Sequence, residues 1–229
     1  MANTPHHARA IGEKLRAIRQ EHKMSLRELA GKAEISASML SQIETGKVFP
    51  SVRSLYDIAN ALGVTVDYFF PEQENGNNKT TETSKPNNTE TMTASELRDA
   101  KVKGLAEMGA GFPHTEPGAS PIVHARSRPT IELNGGVTWS RLTAHAEKEA
   151  EFLEINYAPG ASSGANMSHH EGREFGLILD GELVIELGFE ALTLQTGDSI
   201  VLDSTTPHRL INKSDRPMRA VWVVLSKKH

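Results

Sequence analysis

Cysteine is absent from the 229-residue chain, which excludes disulfide frameworks, thiolate metal sites and thiol nucleophiles. Any bound metal must then rely on His, Asp or Glu. Apolar runs long enough to span a bilayer, about 18 residues, are also missing. The N-terminal stretch MANTPHHARAIGEKLRAIRQ has no apolar signal-peptide core, so a soluble cytoplasmic protein without a membrane partner is expected. Excess positive charge is lacking as well, because the net charge is −4. The charge is uneven, however. Residues 1–71 hold four Lys and five Arg against five Glu and two Asp, a net of +2, which leaves −6 for the remainder. A small basic head on an acidic body is compatible with nucleic-acid binding by the head, although +2 is a weak signal.

The length suits two modest domains. Between Glu72 and Ser95 the sequence EQENGNNKTTETSKPNNTETMTAS is almost devoid of apolar residues and cannot bury enough surface to offset its ordering entropy. It reads as a flexible linker, giving residues 1–71, 72–95 and 96–229 as head, linker and body. In the head, Ile11, Leu15 and Ile18, then Leu26, Leu29 and Ala30, then Met39, Leu40 and Ile43, then Leu55, Ile58, Ala59 and Leu62 recur at helical spacing. Ser25, Ser36 and Ser51 stand at N-cap positions and Gly46 and Gly63 at helix ends, so a bundle of four or five short helices follows. The body switches to β-rich runs, TIEL, VTWSRLT, FLEINYA, FGLIL, LVIEL, ALTL, SIVL, HRLIN and RAVWVVL, most of them separated by turn residues. That pattern means a sandwich or barrel. Residues 96–108, ELRDAKVKGLAEM, could form a short amphipathic helix.

The segment KMSLRELAGKAEISASMLSQIETGKVFPSVRSLYDIANALGVTVDYFF resembles the repressor-like helix-turn-helix domains of the XRE family. The likeness lies in the SLRELA helix, the turn at Glu34 and Ile35, the SASMLSQIETGK helix, the start at Pro50-Ser51, and IANALGV with DYFF. It implies that the helix beginning at Ser36 enters the major groove of double-stranded DNA. Its N-terminal residues would then meet base edges. Ala37, Ser38, Ser41 and Gln42 would face bases: Gln42 can pair with adenine through its amide, and Ala37 can meet a thymine methyl. Arg27, Lys47 and Arg53 would touch phosphates, which supplies affinity without sequence information. Arg19 and Glu44 fall where family members hold an internal salt bridge. Leu26 departs from the pattern, standing where many relatives have a phosphate-contacting Gln. Two plainer readings are a bundle whose Ser-rich helix is only a solvated surface, and a folded head that no longer binds DNA.

In the body, HHEGREFGLILDG from His169 to Gly181 and GDSIVLDSTTPHRLIN from Gly197 to Asn212 resemble the two motifs of the cupin superfamily. His170, Glu174, Gly181, Gly197, His208 and Asn212 match that spacing. Ser168 replaces the first His, and Asp203 and Thr205 replace the usual Pro and Gly. The expected architecture is therefore multidomain: an all-α helix-turn-helix bundle followed by an all-β cupin barrel, the double-stranded β-helix. In a strand, residues four apart share a face, so His170 and Glu174 point the same way, and His208 can join them from a second strand. Two imidazoles and a carboxylate make a triad with open positions for Fe(II), Zn, Mn or Ni; equally, the three can form a hydrogen-bonded cluster without metal. Trp139, Arg141 and Tyr157 are expected to line the same mouth as ligand-binding residues, Arg141 suiting a carboxylate or phosphate; equally, Arg141 could sit on the outer face, which parity in a single strand does not decide.

Together the halves resemble prokaryotic regulators in which a barrel senses a small-molecule effector, as a homodimer or higher oligomer that places two heads on DNA half-sites. An enzyme is the less favoured alternative. The arrangement also resembles hydroxypropylphosphonate epoxidase, a mononuclear non-haem iron enzyme whose triad has the same order of ligands.

Overall fold

The computed structural model describes residues 4–71, 122–147 and 149–225. The expected linker 72–95, the start of the body at 96 and the amphipathic stretch 96–108 lie outside the described residues. Four helices form the head: α1 (Thr4–Glu21), α2 (Leu26–Lys32), α3 (Ala37–Glu44) and α4 (Val52–Leu62), followed by a 3-10 turn at Val66–Phe69. Each short helix starts where a serine can satisfy an otherwise orphaned N–H. Ser25 Oγ accepts from Glu28 N while Glu28 accepts from Ser25 N, a reciprocal capping box. Ser36 accepts from Met39 N and Ser51 from Ser54 N. Gly63 ends α4 in the left-handed region at φ +68°. The turn between α2 and α3 places Glu34 at φ +52°, which lets Ile35 N reach back to Ala30 O at 3.0 Å. Leu15, Leu29, Leu40, Leu55 and Ile58 form the buried centre of the head.

The body contains nine strands among the described residues: β1 (Thr130–Leu133), β2 (Val137–Arg141), β3 (Ala150–Tyr157), β4 (Arg173–Asp180), β5 (Glu182–Leu187), β6 (Glu190–Gln195), β7 (Ser199–Asp203), β8 (His208–Ile211) and β9 (Met218–Leu225). Every β-rich run of the sequence became one of them. They pair antiparallel into a six-stranded sheet, β1-β2-β3-β9-β4-β7, and a three-stranded sheet, β6-β5-β8. Alternation decides which face is inside: Leu153, Ile155 and Tyr157 on β3 and Ala220, Trp222 and Val224 on β9 are buried. Gly176 on β4 is opposite Trp222 in the register. A Cβ at Gly176 would collide with the Trp222 ring, so glycine there lets the indole lie across the strand toward Glu174.

Head and body belong to one compact unit and share direct contacts. Asn134 N donates to Pro50 O at 2.9 Å and Arg53 N to Ser163 O at 3.3 Å. Tyr56 OH donates to Glu151 at 2.8 Å. Asp67 and Arg141 face each other at 3.6 Å, both buried. A head joined to the barrel only through a tether, the picture the linker suggests, is therefore incomplete.

Candidate functional site

Two groups of side chains carry chemistry. The first lies on α3. Ser36, Ser38 and Gln42 are exposed, Ala37 and Ser41 are half-buried, and Arg27 and Lys47 are exposed beside them. Gln42 Nε2 donates to Ser38 Oγ at 3.3 Å, a long bond that a better partner can replace. The α3 helix is held from behind. Arg19 binds Glu44 through two bonds of 2.6 and 2.9 Å and donates to Met24 O at 2.8 Å. Burial of the pair is compensated by this fork geometry, and Glu44 raises Arg19 above its ordinary value chiefly through the hydrogen bond.

Arg53, expected to touch phosphate, has protein partners. Its guanidinium donates to Met167 O at 3.1 Å and pairs with Asp57 at 3.4 Å, because α4 turns that side chain toward the barrel. Arg141 also departs from the expected ligand mouth. It shares the buried face of β2 with Trp139, but a shift of two residues carries it about 6–7 Å along the strand. There it donates to Thr143 O and Ala144 O, faces Asp67 and lies over the Phe70 ring. Burial pushes Asp67 up to about 6, with Arg141 opposing.

The second group is inside the barrel. His170, Glu174 and His208 come together with donor atoms all within 4.8 Å of one another. Glu174 is on β4 and His208 begins β8, whereas His170 precedes β4 and is placed by its own N–H on Ser204 O at 2.9 Å and by Gly172 at φ +116°. The proximity expected from strand parity is thus achieved by a turn rather than by one continuous strand. His170 Nε2 and His208 Nε2 lie 2.9 and 3.1 Å from the same oxygen, Glu174 Oε1. Each imidazole has its Nδ1 against a backbone carbonyl: His170 on Glu171 O at 3.1 Å and His208 on Thr206 O at 2.9 Å. A carbonyl only accepts, so Nδ1 carries a proton; Nε2 then donates to Glu174 Oε1 when the ring is protonated and offers its lone pair to a cation when the ring is neutral. Trp222 Nε1 donates to Glu174 Oε2 at 2.6 Å, while buried Oε1 is met by the two imidazole Nε2 atoms. Burial alone would raise Glu174, but the two imidazoles hold it well below the usual carboxylate range. Burial lowers His170, and the Glu174 carboxylate outweighs that and raises it.

This donor set fits a divalent cation: two imidazole nitrogens and one carboxylate oxygen converge, oriented by Nδ1–H bonds of the kind that steady metal-bound histidines. Trp139, Tyr157 and Trp222 line the cavity around it, together with Val52 and Tyr56 of α4. Sequence reasoning missed Val52, Tyr56 and Trp222. Trp222 was legible only as one buried position in the alternation of β9, and nothing in the helical pattern of α4 marks Tyr56 as facing another domain.

Comparisons with known proteins agree with this division. Residues 15–69 match the helix-turn-helix family model and residues 153–224 the cupin domain model. The HTH-type transcriptional regulator PuuR of Escherichia coli is 25% identical over 205 residues, 90% of this chain and 89% of that protein. The immunity repressor protein of Bacillus phage phi105 is 38% identical over 63 residues, covering 28% of this chain and 44% of the repressor. In overall fold the chain is similar to an HTH_3 family transcriptional regulator from Vibrio cholerae, at a TM-score of 0.60 and 18% identity, across 99% of this chain and 100% of the other. These matches define a class, the DNA-binding transcription regulators with a helix-turn-helix head. The chain carries an XRE-type helix-turn-helix domain and a cupin domain, the architecture of such a regulator. Among the described residues no helix is long and apolar enough to cross a membrane.

Proposed function

We propose that this regulator reads duplex DNA through α3 and senses a ligand at the His170, Glu174 and His208 cluster, which holds a divalent metal. Ser38 and Gln42 contact base edges, Ala37 and Ser41 flank them, and Ser36, Arg27 and Lys47 secure the backbone. Fe(II), Zn, Mn and Ni all accept such N,N,O ligation, and the small-molecule effector is met by Trp139 and Tyr157. Two heads on half-sites about 34 Å apart require a homodimer or higher assembly acting in the cytoplasm. The observation that carries the sensing half is the convergence of two imidazole Nε2 atoms and Glu174 Oε1 within 4.8 Å of one another.

Two measurements test the reading. Protein purified without chelator or nickel affinity resin should contain metal that is lost in His208→Ala; equal content in both removes the site. Binding to the DNA upstream of its own gene should exceed binding to random duplex and weaken with salt. Equal affinity for both duplexes removes the sequence-specific role of α3.

A second reading has one observation in its favour. The same ligand set has open positions suited to iron-dependent oxygenation, and α4 of the head covers it. Oxygen consumption by the Fe(II)-loaded protein, abolished in Glu174→Ala, would support an oxygenase; none with any small organic substrate would remove it.

A further inference from the structure

The cavity around the three ligands is small, about 20 Å³ of space for the centre of a water-sized sphere, room for about one water. No organic effector fits beside a metal there while the wall is closed. Part of that wall belongs to the DNA-binding head. The Tyr56 ring lies parallel on the His170 ring, centroids 4.6 Å apart and planes 12° from parallel, and meets Trp139 edge-on at 5.8 Å. Its hydroxyl is anchored on Glu151. On the other side of Tyr56 and His170, which line both spaces, is a second hollow of about 480 Å³ that includes Asn60, Thr65, Glu151 and Glu171. Tyr56 is the partition between the two.

The inner cavity also contains a donor with nothing to bind. Trp139, which lines that cavity, is 4% exposed and its Nε1–H has no acceptor, so an incoming acceptor would satisfy it. A divalent ion held by one carboxylate and two neutral imidazoles keeps a net positive charge and open positions. Positive charge, open positions and a vacant N–H donor together suit an oxygen-donor anion. The metal ligands and Trp139 all line the inner cavity, so the inner cavity is the place for such an anion.

We propose that the ligand site is composite: a small carboxylate-class anion binds at the metal, accepts the Trp139 Nε1–H, and displaces the Tyr56 ring. Its binding thereby lifts α4 of the head from the barrel. This rests on the metal reading of the cluster. The α4 helix also carries Arg53, whose bond to Met167 O and backbone bond to Ser163 O would be released with it. The orientation of α3 relative to a partner head then depends on ligand. By linkage, DNA that favours either orientation changes the affinity for the anion by the same factor.

The chain reports on this directly, because both of its two Trp residues line the inner cavity. Full-length protein loaded with Co²⁺ and titrated with glycolate should show saturable Trp quenching and faster amide hydrogen exchange in α4. Tyr56→Ala should bind glycolate about tenfold more tightly, and Trp139→Phe about tenfold more weakly at unchanged cobalt content, the worth of one hydrogen bond to a charged group. Equal glycolate affinity in all three proteins, or exchange in α4 that ignores glycolate, overturns the proposal. If Tyr56→Ala does not fold, Tyr56→Phe, which keeps the ring and loses the Glu151 bond, should shift affinity in the same direction by less. Cobalt that fails to bind ends the metal reading and the anion with it. The shared wall is then judged in metal-free protein by diethyl pyrocarbonate. His170 and His208 should be modified faster in Tyr56→Ala, with exposed His22 and His169 as internal controls, and equal rates in the two proteins overturn the composite wall.

Discussion

At α3, Ser36, Ser38 and Gln42 are exposed, whereas in the barrel Glu174 and His208 are each 4% exposed, with Glu174 Oε2 and His208 Nδ1 both hydrogen-bonded. The α3 surface needs groups that exchange water for base edges at little cost, so local bonds such as Gln42 to Ser38 are long and replaceable. The barrel site needs ligand atoms held in place before the ion arrives, so each imidazole is oriented from behind by a carbonyl and Glu174 by an indole. Each region nevertheless depends on a buried charge pair. Arg19–Glu44 supports α3 from beneath, and Asp67–Arg141 lies where the head meets the barrel.

Breaking the support under α3 should have the largest effect. Arg19→Ala leaves Glu44 buried without its partner and should destabilise the head by about 3–5 kcal/mol, read as a lower urea midpoint. Pairing it with Glu44→Leu should recover part of the loss, and no recovery would show that the fork contributes only packing. Next comes base reading: Ser38→Ala with Gln42→Ala should remove about 1–3 kcal/mol of preference for operator over random duplex, with the metal content unchanged. A coupled fall in metal would mean that α3 and the barrel site are not separable.

The Asp67–Arg141 pair sharpens the comparison through pH. Burial raises Asp67 to about 6 from 3.8, so the folded protein binds this proton more tightly than the unfolded chain. Its stabilising contribution is fully present below pH 3.8 and is lost as pH rises through 6. Asp67→Asn should therefore flatten the stability profile between those values by at most about 2–3 kcal/mol. A profile that keeps its slope in the variant would assign the slope to other groups. The smallest effect belongs to Lys47→Ala, expected to lower the salt slope of DNA binding by about one counterion without changing operator preference.

Much of this was legible in one dimension. Serine caps at 25, 36 and 51, the Gly63 terminus and the helical spacing of the core are local, and each acts within a few residues of where it is written. The β-rich runs between turn residues likewise marked the nine described strands, on which Trp139 and Tyr157 prove buried. The cluster of His170, Glu174 and His208 was legible because motif spacing preserves it, although the turn before β4, rather than strand parity alone, brings His170 in. The protein partners of Arg53 and Arg141 were not legible for one reason: a cation on an amphipathic element says nothing about which neighbour it will meet.

What the amino-acid order determined by itself was therefore every feature whose partner is near in sequence: helices, caps, strands and the chemical type of the donor groups. Only the tertiary structure decided that α4 closes the barrel, that Tyr56 stacks on His170 across 114 positions of chain, and that Arg141 faces Asp67 instead of a ligand. Those outcomes depend on how two independently patterned surfaces meet, and the burial that drives the meeting is non-directional until both surfaces have formed.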